Sequence, residues 1–493
     1  MASRFTALPL SSGESFILET DHCGKRFVIL VDGGQSKSTS PKKNGLYKAI
    51  RQCCPDITDT IDIAICTHRD HDHAGGFPAF IETWLAEGND IGEFWLPGGW
   101  AGAVEMVLTN PDGLVSMLRA GANTAAYRID QRQSSRETDV ESTAQRSFRG
   151  KNVRSIQAEM HDMCIEDSWT DSLTEQSRAN RSTDDDRYVE TNRTVHAANS
   201  WGFTIEGWEA IRSDLDTSAI HDEPLTERDG AYRQLNDEVY FEEILLDDSG
   251  VREHWISRRF FDGSNSTSQL ARSLFRNAID TVEAIRNIAS AAVMFDIPVR
   301  WFDFSAFEKG AKPSGGRQGF LQPLNAVEFK QAERETDALK LFFKLTLTEQ
   351  NVASLVFQRL ETASEPGVIF LGDSRLAFGV DQPEENFEKH LVQPRRPIVY
   401  TAPHHGSRNN DRAYEVLAKW LPDLFDASIA VRNGGVWNQT LAGYLNIKCR
   451  RCAQCYQCHG GNWSQPVQII SDDRQWIWPS ALGGRCGVPK RKK

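Results

Sequence analysis

The chain has 493 residues, 40% of them hydrophobic and 25% charged, with a net charge of −12. That composition suits a globular protein of two or three domains, or one large core with an insertion. It excludes a surface that is basic throughout, though not a locally basic groove, and ten Cys in a chain this long do not make a disulfide scaffold.

Residues 5–35 run apolar in short stretches, Ser15–Glu19 and Phe27–Val31, and Gly24 between them predicts a hairpin. The second stretch ends in Asp32-Gly33-Gly34, a carboxylate on a glycine turn. A short helix over 47–54 leads to Ile61–Cys66, whose β-branched content reads as a buried strand. The seven positions Thr67 to His73 then hold three His and two Asp, ahead of an amphipathic helix over 77–85. The cluster thus falls on a loop between the C-terminal end of a strand and a helix, where layered α/β structures build sites. Phe94–Pro97 predicts another short strand.

From about 120 to 263 the chain is rich in Ser, Thr, Arg, Asp and Glu, which reads as a polar insertion, part helical and part irregular. Trp201, Phe203, Trp208 and Ile211 mark a piece of it that packs. Leu270, Leu274, Ile279, Val282, Ile285 and Ile288 recur near helical spacing and predict a long helix over 269–295. Strands are expected at 297–302, 320–324, 353–357 and 368–371, the last two paired, and the last ends in Gly372-Asp373-Ser374. A helix near 384–391 precedes a strand at 397–400 that ends in Pro403-His404-His405-Gly406-Ser407. A helix over 413–421 and a strand over 427–431 follow.

Four strand ends therefore carry an Asp or His at a turn: Asp32, the His68–His73 cluster, Asp373 and His404-His405. Neutral imidazoles and carboxylates are the donors that hold two divalent cations close together, with a carboxylate between them as a bridge.

This pattern resembles the metallo-β-lactamase fold superfamily, whose loop usually reads T-H-x-H-x-D-H-x-G-G. Here Thr67-His68-x-Asp70-x-Asp72-His73-x-Gly75-Gly76 puts Asp70 where the second His is usual. That loop, followed in order by Asn351-x-x-Ser354-Leu355-Val356, Gly372-Asp373 and His404-His405-Gly406-Ser407, is similar to the hydrolase domain of the competence DNA-uptake protein ComEC and its soluble relatives. The resemblance spans residues 10–100 and 270–435 and implies an α/β fold, an αββα sandwich of two mixed sheets with helices outside. The implied organisation is a first half over 1–110, the polar insertion over 111–265, a second half over 266–440 and a Cys-rich extension over 441–493.

Carried over by position, the resemblance implies that His68 and Asp70 bind a first cation, Asp72 and His73 a second, and Asp373 bridges them. One of His404 and His405 completes the second site, with His404 favoured, and Asp32 braces the loop through hydrogen bonds. The family's third His for the first cation has no counterpart. The implied chemistry is hydrolysis of a phosphodiester, DNA or RNA among the candidates, with two Zn or Mn ions and with Asp72 and Asp373 as catalytic carboxylates. Arg69, Arg375, Ser407, Arg408 and Asn409 lie beside the ligand loops and are candidates for contact with a substrate phosphate. Stand-alone relatives occur in bacterial anti-phage operons beside proteases and nucleotide-binding sensors, which implies a defence effector with a protease or NTPase partner. Open alternatives are a hydrolase of phospholipid head groups or small nucleotides, a non-catalytic scaffold, and a redox or metal sensor.

The sensor reading rests on Cys449-x-x-Cys452-x-x-Cys455-x-x-Cys458-His459. Its constant spacing suits a structural Zn, an iron–sulfur cluster with Cys486 as a distant fourth ligand, or plain thiols. Cys455–His459 also spells a c-type haem attachment motif, but that chemistry needs export. The start, Met1-Ala2-Ser3-Arg4-Phe5, lacks a secretory pattern and no apolar run is long enough to span a membrane, so the cytoplasm is expected and no membrane partner. The basic tail Lys490–Lys493 reads as a solvated terminus or a weak, salt-sensitive phosphate contact.

Overall fold

A computed structural model describes residues 2–10, 13–35, 45–124, 193–218, 266–330, 335–346, 353–376, 391–434, 441–453, 466–472 and 475–478. Its strands, in chain order, are β1 (Arg4–Ala7), β2 (Phe16–His22), β3 (Lys25–Val31), β4 (Thr60–Ile65), β5 (Asp90–Pro97), β6 (Val299–Asp303), β7 (Leu321–Pro323) and β8 (Val327–Phe329). They continue with β9 (Phe357–Arg359), β10 (Val368–Phe370), β11 (Val399–Thr401), β12 (Ile429–Arg432), β13 (Arg450–Cys452), β14 (Val467–Ser471) and β15 (Trp476–Ile477).

Among the described residues these strands form two mixed sheets, ordered β15-β14-β1-β2-β3-β4-β5-β6-β8 and β13-β12-β11-β10-β9-β7. In the first, β3 to β6 run parallel; in the second, β10 to β13 do. The expected hairpin joins β2 to β3, where Cys23 (φ 53°) and Gly24 (φ 77°) are both left-handed, as a two-residue turn between twisted strands requires.

Side chains alternate across each strand, and the alternation separates three apolar layers. Phe16, Leu18, Ile29, Val31, Ile63 and Ile65 point to the second sheet and meet Phe357, Val368, Phe370, Val399 and Val431. Trp95 and Phe302 of the first sheet and Phe357 of the second close this layer, with ring centroids 5.0–5.2 Å apart. Ile17, Val28, Leu30 and Ala64 face the other way, onto helices Gly45–Cys53, Phe77–Ala86, Val104–Thr109 and Ser266–Phe295. Ile369, Tyr400 and Ala430 face outward from the second sheet, onto helix Asp411–Trp420. The architecture is the expected αββα sandwich.

The packed piece of the insertion is also present. Helices Arg193–Trp201 and Ile205–Ser218 bury Trp201, Trp208 and Ile211 in the outer layer of the first sheet. The Trp201 indole donates to Ile297 O at 2.9 Å and that of Trp208 to Asp296 Oδ1 at 3.0 Å. Near the C-terminus, β13 extends the second sheet and β14 and β15 the first, so described parts of 441–478 belong to both sheets. No helix among the described residues is long and apolar enough to cross a membrane.

One expected strand is shorter than its pattern. The apolar stretch 353–357 enters the sheet only at Phe357. Ahead of it, the Asn325 side chain donates to Ser354 O and accepts from Val356 N, both at 2.8 Å, and Leu355 N donates to Thr67 O at 2.9 Å. These bonds satisfy the backbone without a ladder. Asn351 and the helix expected near 384–391, apart from Leu391, lie outside the described residues.

Candidate metal centre

The site is built at the C-terminal ends of parallel strands from both sheets. Asp32 follows β3, Thr67–His73 follow β4, Asp373 follows β10, His404 and His405 follow β11, and Asn433 follows β12. Two glycine turns press together behind it: a Cβ on Gly76 would lie 1.9 Å from Gly33 O.

Asp32 is buried and left-handed (φ 60°), and it organises the His/Asp loop. Its carboxylate accepts from Thr67 N at 2.8 Å, from Thr67 Oγ1 at 2.9 and 3.0 Å, and from His73 Nδ1 at 2.8 Å. With Nδ1 so engaged, His73 presents Nε2, which lies 3.2 Å from Asp373 Oδ1. His68 is oriented by hydroxyls: its Nδ1 lies 2.9 Å from Thr67 Oγ1 and 3.3 Å from Ser354 Oγ. Its Nε2 faces Asp373 Oδ2 at 3.5 Å and Asp70 Oδ2 at 3.6 Å. Asp373 is fixed through its backbone, with N donating to Ser354 Oγ at 3.0 Å and the Asn410 side chain donating to its carbonyl. Its two carboxylate oxygens therefore face different imidazoles.

His404 and His405 are consecutive non-glycine residues in the left-handed region, at φ 49° and 51°. Each such residue costs about 1–2 kcal/mol, a strain that persists only where surroundings impose it. Here His404 N donates to Gly372 O at 3.2 Å, His405 N donates to Glu14 Oε1 at 3.0 Å, and Arg432 Nε donates to His405 O. His405 Nδ1 lies 3.0 Å from both Asn433 O and Glu14 Oε1, and its Nε2 is 2.8 Å from Asp72 Oδ2. His404 Nε2 lies 3.9 Å from Asp373 Oδ2.

Two overlapping groups result, His68/His73/Asp373 and Asp72/His73/His405, each with donor atoms within 4.8 Å of one another. The group containing Asp72 and His73 takes His405, whereas His404 approaches the His68 side of Asp373. Because Asp32 occupies Nδ1 of His73, that ring offers a single nitrogen, so His73 serves one cation of a pair.

The donor set fits a cation. His68 Nε2, His73 Nε2 and Asp373 Oδ1 are buried and have no hydrogen-bond partner. Leaving a buried polar atom unsatisfied costs about 1–3 kcal/mol, and three of them facing one another mark a position for an ion. The protonation balance agrees. Burial opposes charge on His73 and His405, yet Asp373 and Asp32 around the first, and Glu14 and Asp72 around the second, raise both well above the usual range. Burial and His73 disfavour the charged form of His68, but Asp373 and Asp70 raise it to about 9. Asp373, despite its burial, is held well below the usual carboxylate range by His404, His73 and His68. The carboxylates thus demand positive charge, which protons or a dication can supply.

Other candidate residues are placed differently. The Arg69 guanidinium turns to the helix layer, where it donates to Thr281 Oγ1 at 3.2 Å and to Leu345 O. Ser407 is buried, its N donating to His404 O at 2.8 Å, while Arg408 is exposed and Arg375 half-buried. The side chains of His71 and Asn409 lie outside the described residues. Cys449 and Cys452, beside and on β13, form no disulfide, and Cys452 is buried with Arg432 Nη1 3.8 Å from its sulfur. Cys455, Cys458 and Cys486 lie outside the described residues. Among the described residues no Cys joins a metal-binding group.

Glu14, Ser354, Asn410 and Asn433 hold the donors in place but carry no role in the sequence reading. Ser354 lies within a recognised motif, so a signal existed there. Glu14 sits in an unpatterned loop and carries none. The chain matches no protein-family model and no curated protein.

Proposed function

We propose that the chain is a metal-dependent hydrolase of phosphodiesters, with nucleic acid as the leading substrate class. The observation that carries this reading is the convergence at the strand ends of the buried His68 Nε2, His73 Nε2 and Asp373 Oδ1, none of which makes a hydrogen bond. His68 and Asp70, with Asp373 and His404 beside them, would hold one divalent cation, Zn or Mn. Asp72, His73 and His405 would hold the other, and the two oxygens of Asp373 would serve both.

Bound dications supply Lewis acidity, lowering the pKa of water and neutralising charge on a phosphoryl group. The chain's own residues do the rest. Asp32 and Thr67 keep the His68 and His73 rings turned inward. Asp72, at the partly exposed edge of the centre, would orient a water against a substrate. Asp70 in place of a second imidazole makes the first position richer in oxygen, which suits Mn as well as Zn. This substitution, with the order of the four motifs, supports phosphodiesters over other electrophiles. The same resemblance supports a role as an effector in bacterial anti-phage defence, beside a protease or NTPase partner.

The test is hydrolysis of plasmid DNA, single-stranded DNA, RNA and bis-p-nitrophenyl phosphate with Mn²⁺ or Zn²⁺. Wild type is expected to cleave at least one of them and Asp373→Ala none. Equal activity in the two proteins would overturn the proposal.

A further inference from the structure

Glu14 lies in the loop before β2, on the first sheet, yet its side chain reaches the histidine loop of the second. It is fully buried. Its Oε1 accepts from His405 N at 3.0 Å and lies 3.0 Å from His405 Nδ1. Its own N donates to Asp72 O at 3.0 Å. Asp72 Oδ2 in turn lies 2.8 Å from His405 Nε2. One residue thus grips both donors of the same group, Asp72 through its backbone and His405 through its carboxylate.

The local chain is shaped for this contact. Gly13 is left-handed (φ 81°), and a Cβ there would lie 2.1 Å from Asp72 O, so only glycine lets the loop press this closely on the His/Asp loop. The carboxylate is not needed to satisfy His405 alone, because Asn433 O already lies 3.0 Å from Nδ1. Nor is it fully satisfied itself: Glu14 Oε2 is buried without a hydrogen-bond partner. A buried carboxylate with a free oxygen is costly unless positive charge stands close by. The charge available is that of His405, or of a cation on its Nε2.

The arrangement repeats that of Asp32 and His73, where a buried carboxylate lies 2.8 Å from Nδ1 and leaves Nε2 facing the centre. A carboxylate behind a metal-bound imidazole fixes the ring and makes it a better donor.

We propose that Glu14 is a positioning residue that holds His405 in its left-handed conformation and sets its affinity for the cation shared with Asp72. The inference rests on the metal reading above.

The experiment is titration of the chelator-stripped full chain with Mn²⁺ and, separately, Zn²⁺, following binding by calorimetry and free Mn²⁺ by electron paramagnetic resonance. Glu14→Ala is expected to weaken one of two positions by about 10–100-fold, as loss of such supporting groups does, and to leave the other unchanged. Glu14→Gln keeps an acceptor for His405 N–H but no charge, so it is expected to fall between Ala and wild type, with unchanged melting of the stripped protein. Wild-type affinity at both positions in Glu14→Gln and in a folded Glu14→Ala overturns the inference. So does an equal loss at both positions accompanied by a lower melting temperature, which marks a general packing role. If Glu14→Ala does not fold, Glu14→Gln alone decides. A wild-type chain that binds neither cation overturns the metal reading itself, a distinct result.

Discussion

The Asp32 carboxylate and the His73 imidazole form a fully enclosed pair, with Oδ2 2.8 Å from Nδ1 and no more than 1% of either side chain exposed. Asp32 also receives two donors from Thr67, so a single carboxylate supports the strand end and the ring that belongs to both donor groups. Asp32→Ala is expected to leave Thr67 N, Thr67 Oγ1 and His73 Nδ1 without their acceptor. Removing one partner of a buried pair costs about 3–5 kcal/mol, readable by urea unfolding of the stripped protein. Cation affinity at the position shared by Asp72, His73 and His405 is expected to fall by at least as much as in the Glu14 variants, because Asp32 turns the His73 ring toward it. Unchanged unfolding would show that the pair is dispensable.

Much of this framework was legible because the signals are local. The hairpin at Cys23-Gly24, the alternation within β2 to β4 and the apolar spacing along 269–295 depend on neighbours a few residues apart. The gathering of the His/Asp loop, Asp373 and the two histidines was foreseeable because each ends an apolar strand, and parallel strands align their C-terminal ends. What periodicity missed depends on distant partners. The stretch 353–356 looks like strand, but Asn325 takes its backbone groups. Glu14 gains its role only when two sheets stack. The expectation weighed His404 against His405 for one position, whereas two successive left-handed residues aim their rings at different neighbours. Adjacent letters in a sequence do not show that.

The left-handed pair invites its own test. Glycine adopts φ 49° without penalty, whereas alanine carries the same Cβ strain as histidine. Both His404→Gly and His404→Ala lose the imidazole, so their difference isolates the backbone. The Gly variant is expected to be more stable than the Ala variant by about 1 kcal/mol in the stripped protein, measured by denaturant unfolding. Equal stabilities, or a more stable Ala variant, would mean that the loop relaxes out of the left-handed region.

Away from the centre, Glu93 offers a pH-dependent test of the packing between sheet and surface. Its carboxylate lies 3.1 Å from Arg300 Nε and 3.3 Å from Arg317 Nε, and it accepts from the Trp95 indole at 2.8 Å. Burial opposes its charge, but the two guanidinium groups and the indole outweigh that and hold it below its usual value of 4.5. A carboxyl whose folded value is depressed adds stability above its unfolded value and loses it as pH falls through the folded one. Glu93→Gln is therefore expected to cost about 2 kcal/mol at pH 7. The gap between the two proteins should narrow as pH falls below 4.5. Melting curves at a series of pH values would show it, and a gap constant from pH 7 to 3 would contradict the assignment.

The charge balance at the centre predicts how the fold responds to a cation. A ligand that binds only the folded chain stabilises it by an amount set by its concentration relative to its dissociation constant, about 2.7 kcal/mol at a hundredfold excess. Mn²⁺ or Zn²⁺ is therefore expected to raise the melting temperature of the stripped wild type, and a chelator to reverse the rise. His73→Ala should remove the part of the shift that comes from the cation held with Asp72 and His405, because Asp32 leaves that ring a single nitrogen for one cation. His68→Ala and His405→Ala each remove a donor from one group only, and each should leave a partial shift. Arg408→Ala, on the exposed turn beyond the histidine loop, should melt and respond as wild type does. If His73→Ala retains the full shift, the cation binds elsewhere, and the unsatisfied atoms of His68, His73 and Asp373 need another explanation.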